Sequence, residues 1–180
     1  MGTIRLKDTY CWVAFGPGDL RYRQWAHQTI SLDSYALEVF VNVELKPTID
    51  RLRKKIHQNK QAFREIISKL PEPFSVRVEE RKQKQAALYL CHTIANLDAY
   101  CLKNPDSELG RHGFDYIEVL LEQVHLPYLS VRRRIDRNSA LEVSQKDRGQ
   151  SLVDEVVSVM QKFHPLVDFI NDPDYTRSKK

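Results

Sequence analysis

The sequence predicts an α+β fold: an antiparallel sheet of about four strands with packed helices and a helix-rich C-terminal half. Alternating apolar patterns mark strands in the first half of the chain, and apolar residues at helical spacing dominate the second half. The order of elements also lacks the regular strand–helix alternation of a doubly wound fold. We assign residues 1–172 to a single domain and expect residues 173–180 to form a flexible tail.

The first half contains the clearest strand patterns. Residues 9–15 are rich in strand-forming side chains and end at the turn signal Gly16-Pro17-Gly18-Asp19. Residues 35–46 alternate, with apolar side chains at every odd position, and residues 74–79 alternate in the same way. Between these last two strands, Pro47 and Thr48 indicate a helix that continues to Leu70, with Thr48 as its N-cap.

The second half is predicted from helical periodicity. Apolar residues recur at helical spacing over 87–101, 114–124 and 152–163, whereas residues 126–136 alternate and favour a strand. Residues 138–149 are polar and are interpreted as a connector.

Length, charge and the chain ends bound the function classes. A chain of 180 residues with 42% hydrophobic and 29% charged residues can bury its own core, which excludes wholesale disorder. The net charge of +4 permits an anionic partner without requiring one. No run approaches the roughly 18 apolar residues of a membrane span, so we expect no membrane partner. A charged N-terminus and three cysteines without a CxxC pair predict a cytoplasmic protein.

A hairpin is predicted between His27 and Lys46, with Asp33 and Ser34 in its turn. In that register His27 lies opposite Phe40, and Arg23 lies opposite Glu44. One face is then almost entirely apolar on both strands. The other face combines charges with aromatic rings: Arg21, Arg23, Trp25, His27, Glu38, Phe40, Asn42, Glu44 and Lys46.

Two short segments on and near this face suggest a metal-dependent enzyme. Pro17-Gly18-Asp19 and Glu44-Leu45-Lys46 together resemble the motif of the PD-(D/E)XK nucleases. The resemblance implies that Asp19 and Glu44 hold Mg²⁺ while Lys46 polarises the attacked phosphate or its water. Two carboxylates that share one hard cation must lie within about 5 Å of each other.

Basic residues support the wider hypothesis of a protein associated with DNA or RNA. Arg132, Arg133 and Arg134 form the densest positive cluster, and guanidinium groups suit phosphate because they donate two parallel hydrogen bonds. Tyr22, Trp25 and Tyr128 lie near basic residues and could stack on unpaired bases. The candidate substrate-binding residues are Arg21, Arg23, Trp25, His27, Arg132, Arg133 and Arg134.

A non-catalytic interaction module is the alternative, and the sequence leaves open whether the protein is an enzyme. In this alternative a protein partner is bound by the surface around Trp25 and Phe40, or by a helix. It predicts that Arg23 pairs with Glu44 and that no open cleft lies beside the pair.

Overall fold

The structure is a computed structural model that describes residues 2–7, 10–17, 22–70, 74–80 and 127–171. Two of the predicted helices (87–101 and 114–124), the residues Asp19 and Arg21, and the predicted tail lie outside the described residues.

The described residues form one antiparallel sheet with the strand order β1-β2-β3-β4-β6-β5. The first four strands form a meander, and β6 pairs with β4 and places β5 at the edge. The prediction of an antiparallel α+β fold is confirmed, and the described sheet has six strands. They are β1 (Gly2–Lys7), β2 (Tyr10–Phe15), β3 (His27–Asp33), β4 (Ala36–Val43), β5 (Ser75–Glu80) and β6 (Pro127–Asp136).

Helices pack against one face of this sheet. Alternate residues of β4, such as Val39 and Val41, are fully buried against helical side chains that include Leu52 and Phe163. Among the described helices, none is both long and apolar enough to cross a membrane. The helical elements are a 3₁₀ turn (Tyr22–Gln24), α1 (Lys46–Gln58), α2 (Lys60–Ser68), α3 (Arg137–Lys146) and α4 (Gln150–Asn171).

The turn of the β3–β4 hairpin is centred one residue later than predicted. The Asp33 carboxylate accepts hydrogen bonds from the amides of Tyr35 at 2.7 Å and Ala36 at 2.8 Å, which fixes the turn at Ser34 and Tyr35. His27 therefore lies opposite Asn42, and the predicted pairing of His27 with Phe40 is wrong. Because each partner moves by two residues, β3 and β4 residues keep their predicted faces.

Strand β4 also ends earlier than predicted. It stops at Val43, and Lys46 is the first residue of α1, because Pro47 is tolerated in the first turn of a helix. The predicted N-cap is wrong, since Thr48 is buried inside the helix and its hydroxyl donates to Gln24 O at 2.6 Å. The predicted single helix is divided at Asn59, whose side chain accepts from the amide of the third residue after it.

In the C-terminal part, the strand predicted at 126–136 is confirmed, whereas the connector predicted after it is wrong for most of its length. Residues 137–146 are helical rather than a connector, and α3 has no buried residue, so it lacks the apolar stripe that would reveal it. Helix α4 continues through Pro165 to Asn171, with Phe163 and Leu166 fully buried on either side of the proline.

Candidate binding groove on the sheet

A groove of about 390 Å³ lies on the face of the sheet opposite the packed helices. Every second residue of each strand lies on this face, and the strand register places residues of neighbouring strands side by side, for example Thr29 of β3, Phe40 of β4 and Arg132 of β6. We call it the polar groove. It is lined by Tyr10, Trp12, Tyr22, Arg23, His27, Thr29, Ser31, Glu38, Phe40, Asn42, Glu44, Tyr128 and Arg132.

His27 is buried at one end of the polar groove and both of its ring nitrogens face protein acceptors. Nδ1 lies 3.1 Å from Trp25 O, and because a carbonyl only accepts, Nδ1 carries the proton of that hydrogen bond. Nε2 lies 3.4 Å from the Glu44 carboxylate, and the ring of Tyr22 meets the imidazole edge-on at a centroid distance of 4.9 Å. Both ring nitrogens of His27 therefore already face groups of the protein itself.

A glycine makes room for this histidine. A Cβ atom added at Gly16 would lie 2.8 Å from Cβ of His27, closer than real Cβ atoms approach one another. The backbone between β2 and β3 can therefore pass His27 only where residue 16 has no side chain.

Glu44 joins two basic side chains at the same end of the groove. Arg23 Nε lies 3.3 Å from one carboxylate oxygen of Glu44, while His27 faces the other. Glu44 is 9% exposed and Arg23 is 53% exposed, so the guanidinium partly shields a buried carboxylate. The pair expected for an interaction module is thus present. The expectation of no cleft beside it is wrong, because both residues line the polar groove.

A hydrogen-bond chain fixes the floor of the groove across three strands. The Tyr128 hydroxyl donates to Asn42 Oδ1, and Asn42 Nδ2 donates to Thr29 Oγ1 at 3.3 Å. Asn42 and Thr29 are buried, and they are diagonal neighbours on one face of β4 and β3, since Asn42 pairs with His27 and Thr29 pairs with Phe40. Such a satisfied network rigidifies the surface on which a ligand would rest.

The arginine cluster of β6 is divided between the two faces of the sheet. Arg132 lies over the Phe40 ring, 4.9 Å from its centroid, and pairs with Glu38 at 3.3 Å. Arg133 points the other way and reaches Glu155 of α4 at 3.5 Å. The three arginines therefore do not form one continuous basic surface.

Arg134 shares the face of Arg132 but is engaged by carboxylates. It pairs with Asp136 at 2.9 Å and with Glu38 at 3.7 Å. The hydrogen bond that Arg134 donates to Asp136 is the main cause that raises the pKa of Arg134 above its usual range. Its charge is therefore largely balanced within the fold.

The described residues do not supply the magnesium site that the PD-(D/E)XK resemblance implies. The Glu44 carboxylate faces Arg23 and His27, and Lys46 is a helical residue whose Nζ pairs with Asp50 at 2.5 Å. Glu38 is six residues from Glu44 on an extended chain, roughly 20 Å away, so they cannot share a cation. Within the described ranges no group of three His, Cys, Asp or Glu side chains could hold a metal. A role for Mg²⁺ stays a prediction that depends on Asp19.

Trp25 does not lie in the polar groove. Strand β3 begins at His27, so the strand alternation does not extend to Trp25, which lines a pocket beside α4. The Arg51 guanidinium lies 4.8 Å from the Trp25 ring. The predicted common surface of Trp25 and Phe40 is therefore wrong.

Two aromatic residues of the groove were not identified from the sequence. Tyr10 and Trp12 lie on β2, and they reach the groove because Trp12 pairs with Ser31 and Tyr10 with Asp33. The sequence does show that Tyr10 and Trp12 lie on the same side of one strand, but which face of the sheet they occupy depends on the pairing of β2 with β3.

Comparison with protein families finds no family model that matches the chain. No curated protein is significantly similar to it.

Proposed function

We propose that the protein is a non-catalytic nucleic-acid-binding protein that holds unpaired bases in the polar groove. The observation that carries this proposal is the set of aromatic rings on β2 and β6, along one face of the sheet, beside arginines that are already fixed in place. Antiparallel sheets with aromatic side chains on one face are a recurring platform for single-stranded nucleic acid.

The rings that a base could contact lie on β2 and β6. Tyr10 is 36% exposed, and Trp12 and Tyr128 are partly exposed, whereas Phe40 is covered by Arg132. Trp12 also meets Tyr22 at a centroid distance of 6.2 Å, which restrains its orientation. A restrained, accessible ring offers a stacking surface at low entropic cost.

The charges in the groove favour the binding of bases over the binding of a long run of backbone phosphates. Arg23 is balanced by Glu44, and Arg132 is balanced by Glu38, so the groove holds as many carboxylates as guanidinium groups. A run of phosphates would meet Glu38 and Glu44 as well as the arginines. Binding should therefore show a shallow dependence on salt, since few counterions are released.

The same contacts disfavour catalysis by the groove. A general base needs a lone pair that can reach the substrate, yet the nitrogens of His27 face Trp25 O and Glu44. Glu44 in turn faces two basic groups. These side chains position one another, which suits a rigid binding surface.

Fluorescence anisotropy with labelled oligo(dT) and oligo(U) tests this proposal. We expect Tyr10→Ala and Trp12→Ala each to weaken binding at least about fivefold, since stacking contributes about 1–3 kcal/mol per base. Tyr35→Ala is the matched control, because Tyr35 is 72% exposed at the hairpin turn and does not line the groove. Equal losses in all three variants, or no binding by the wild-type protein, would reject the proposal.

A further inference from the structure

We propose a second binding site, separate from the polar groove, that takes a small heteroaromatic molecule with an N–H donor. The site is a pocket of about 730 Å³ between the β2–β3 region and α4, which we call the helix-side pocket. Its volume lies in the range of small-molecule pockets. Its walls include Phe15, Pro17, Trp25, Gln28, Met160 and Val167.

Gln28 is the group that would orient the ligand. Its residue is 7% exposed, and its Nε2 donates to Met160 O at 3.0 Å. A backbone carbonyl can only accept, so the orientation of the amide is fixed and Oε1 must be the other atom. That buried Oε1 has no hydrogen-bond partner in the part of the chain that the structure describes. A buried acceptor of this kind is stabilised by a donor that a ligand can bring.

The remaining polar side chains of the pocket are engaged with one another or with the backbone. His164 Nε2 lies 3.6 Å from Asp168 Oδ1, and the Asn171 amide makes two hydrogen bonds with the backbone of Ala26. His164 and Asp168 are 66% and 51% exposed, so they face solvent, whereas Gln28 adds one buried acceptor to the wall of the pocket. An uncharged ligand with a single donor matches this pattern.

The apolar walls select a flat ring. Phe15 is 41% exposed and Trp25 is partly exposed, so both rings present surface that a ligand could cover. Met160 and Val167 close the pocket from α4, and a thioether adapts well to aromatic edges. A planar bicyclic ring with an N–H group can therefore contact the walls while it donates to Gln28 Oε1.

Indole and indene are a matched pair of probes, because indene has the same shape but no N–H group. Titrations of the full chain with each probe, followed by two-dimensional NMR, give the affinity and report separately on the side chains of Trp12 and Trp25. We expect shifts at Trp25 and not at Trp12, and at least about threefold weaker binding of indene than of indole.

A variant tests the hydrogen bond itself. Gln28→Met keeps the length of the side chain and removes the acceptor, so it should abolish the preference for indole. Gln145→Met, at an exposed position of α3, should leave that preference unchanged. If Gln28→Met fails to fold, the comparison of the two probes on the wild-type protein still decides.

Three results would overturn this site: no indole binding at millimolar concentration, equal affinity for both probes, or shifts at Trp12 instead of Trp25. These results are independent of oligonucleotide binding in the polar groove, because the two sites lie on opposite faces of the sheet.

Discussion

The side-chain amide of Asn171 makes two hydrogen bonds with the backbone of Ala26. Asn171 Nδ2 donates to Ala26 O at 2.8 Å, and Asn171 Oδ1 accepts from Ala26 N at 2.9 Å. Ala26 is fully buried and lies between Trp25 of the helix-side pocket and His27 of the polar groove. The end of α4 therefore holds the segment that separates the two candidate sites.

We expect Asn171→Ala to lower the free energy of unfolding by about 2–3 kcal/mol, because it leaves two buried backbone groups without partners. Urea denaturation measures this change. Asn138→Ala is the control, since Asn138 is exposed on α3, and it should change stability by no more than about 0.5 kcal/mol. Equal effects of the two substitutions would contradict the role given to Asn171.

Gly16→Ala should displace His27, because the added Cβ would lie 2.8 Å from Cβ of His27. We expect the ring nitrogen signals of His27 in NMR spectra to move as its contacts with Glu44 and Trp25 change. Gly149→Ala is a matched control. It strains the backbone at φ +93°, but apart from its chain neighbours the added Cβ meets no atom within 4 Å. Unchanged His27 signals in Gly16→Ala would contradict the close approach.

Acid should weaken the fold through two exposed aspartates. Amides of Tyr35 and Ala36 lower the pKa of Asp33, and hydrogen bonds from Ser151 lower the pKa of Asp147. A carboxyl whose pKa is lower in the folded state stabilises fully above its unfolded pKa, about 3.9, and loses that effect as pH falls through the folded pKa. We therefore expect stability to decline as the pH falls below about 4.

Carboxyl ¹³C titrations separate the two aspartates. Ser151→Ala should raise the pKa of Asp147, because it removes the hydroxyl donor, and should leave Asp33 unchanged. No shift at Asp147, or an equal shift at Asp33, would contradict the hydrogen bonds of Ser151 as the cause of the lowered pKa of Asp147.

Magnesium binding tests the nuclease hypothesis. Because the Glu44 carboxylate faces Arg23 and His27, we expect Glu44→Ala to leave the heat of Mg²⁺ titration unchanged in calorimetry. Circular dichroism of both proteins controls for unfolding. A heat that is present in the wild-type protein and lost in Glu44→Ala would restore Asp19 and Glu44 as candidate metal ligands.

The features that were predicted correctly are those that depend on the two-residue periodicity of a strand. Val39 and Val41 are buried and Phe40 lies on the other face, as the alternation required. The hairpin error did not change these faces, because a shift of two residues preserves the side of a strand. The strand 126–136 followed from the same kind of pattern.

Features that depend on partners distant in sequence could not be predicted. Trp12 enters the groove through pairing of β2 with β3, and Arg133 contacts Glu155 only because α4 packs on the same face of the sheet, against β4 and β3. Lys46 was predicted to lie on a strand because the proline after it is compatible both with the end of a strand and with the first turn of a helix. Local sequence does not distinguish these alternatives, and tertiary packing decides between them.

The two tryptophans of the chain allow a direct test of the polar groove. In Trp25→Phe the single remaining tryptophan is Trp12, which lines that groove and can be excited selectively at a wavelength where tyrosine absorbs little. If unpaired bases stack in the groove, oligo(dT) and oligo(U) should quench Trp12 fluorescence in a saturable way, and moderate salt should change the midpoint only slightly. Absence of quenching, or quenching that disappears steeply with salt, would contradict base stacking in the groove.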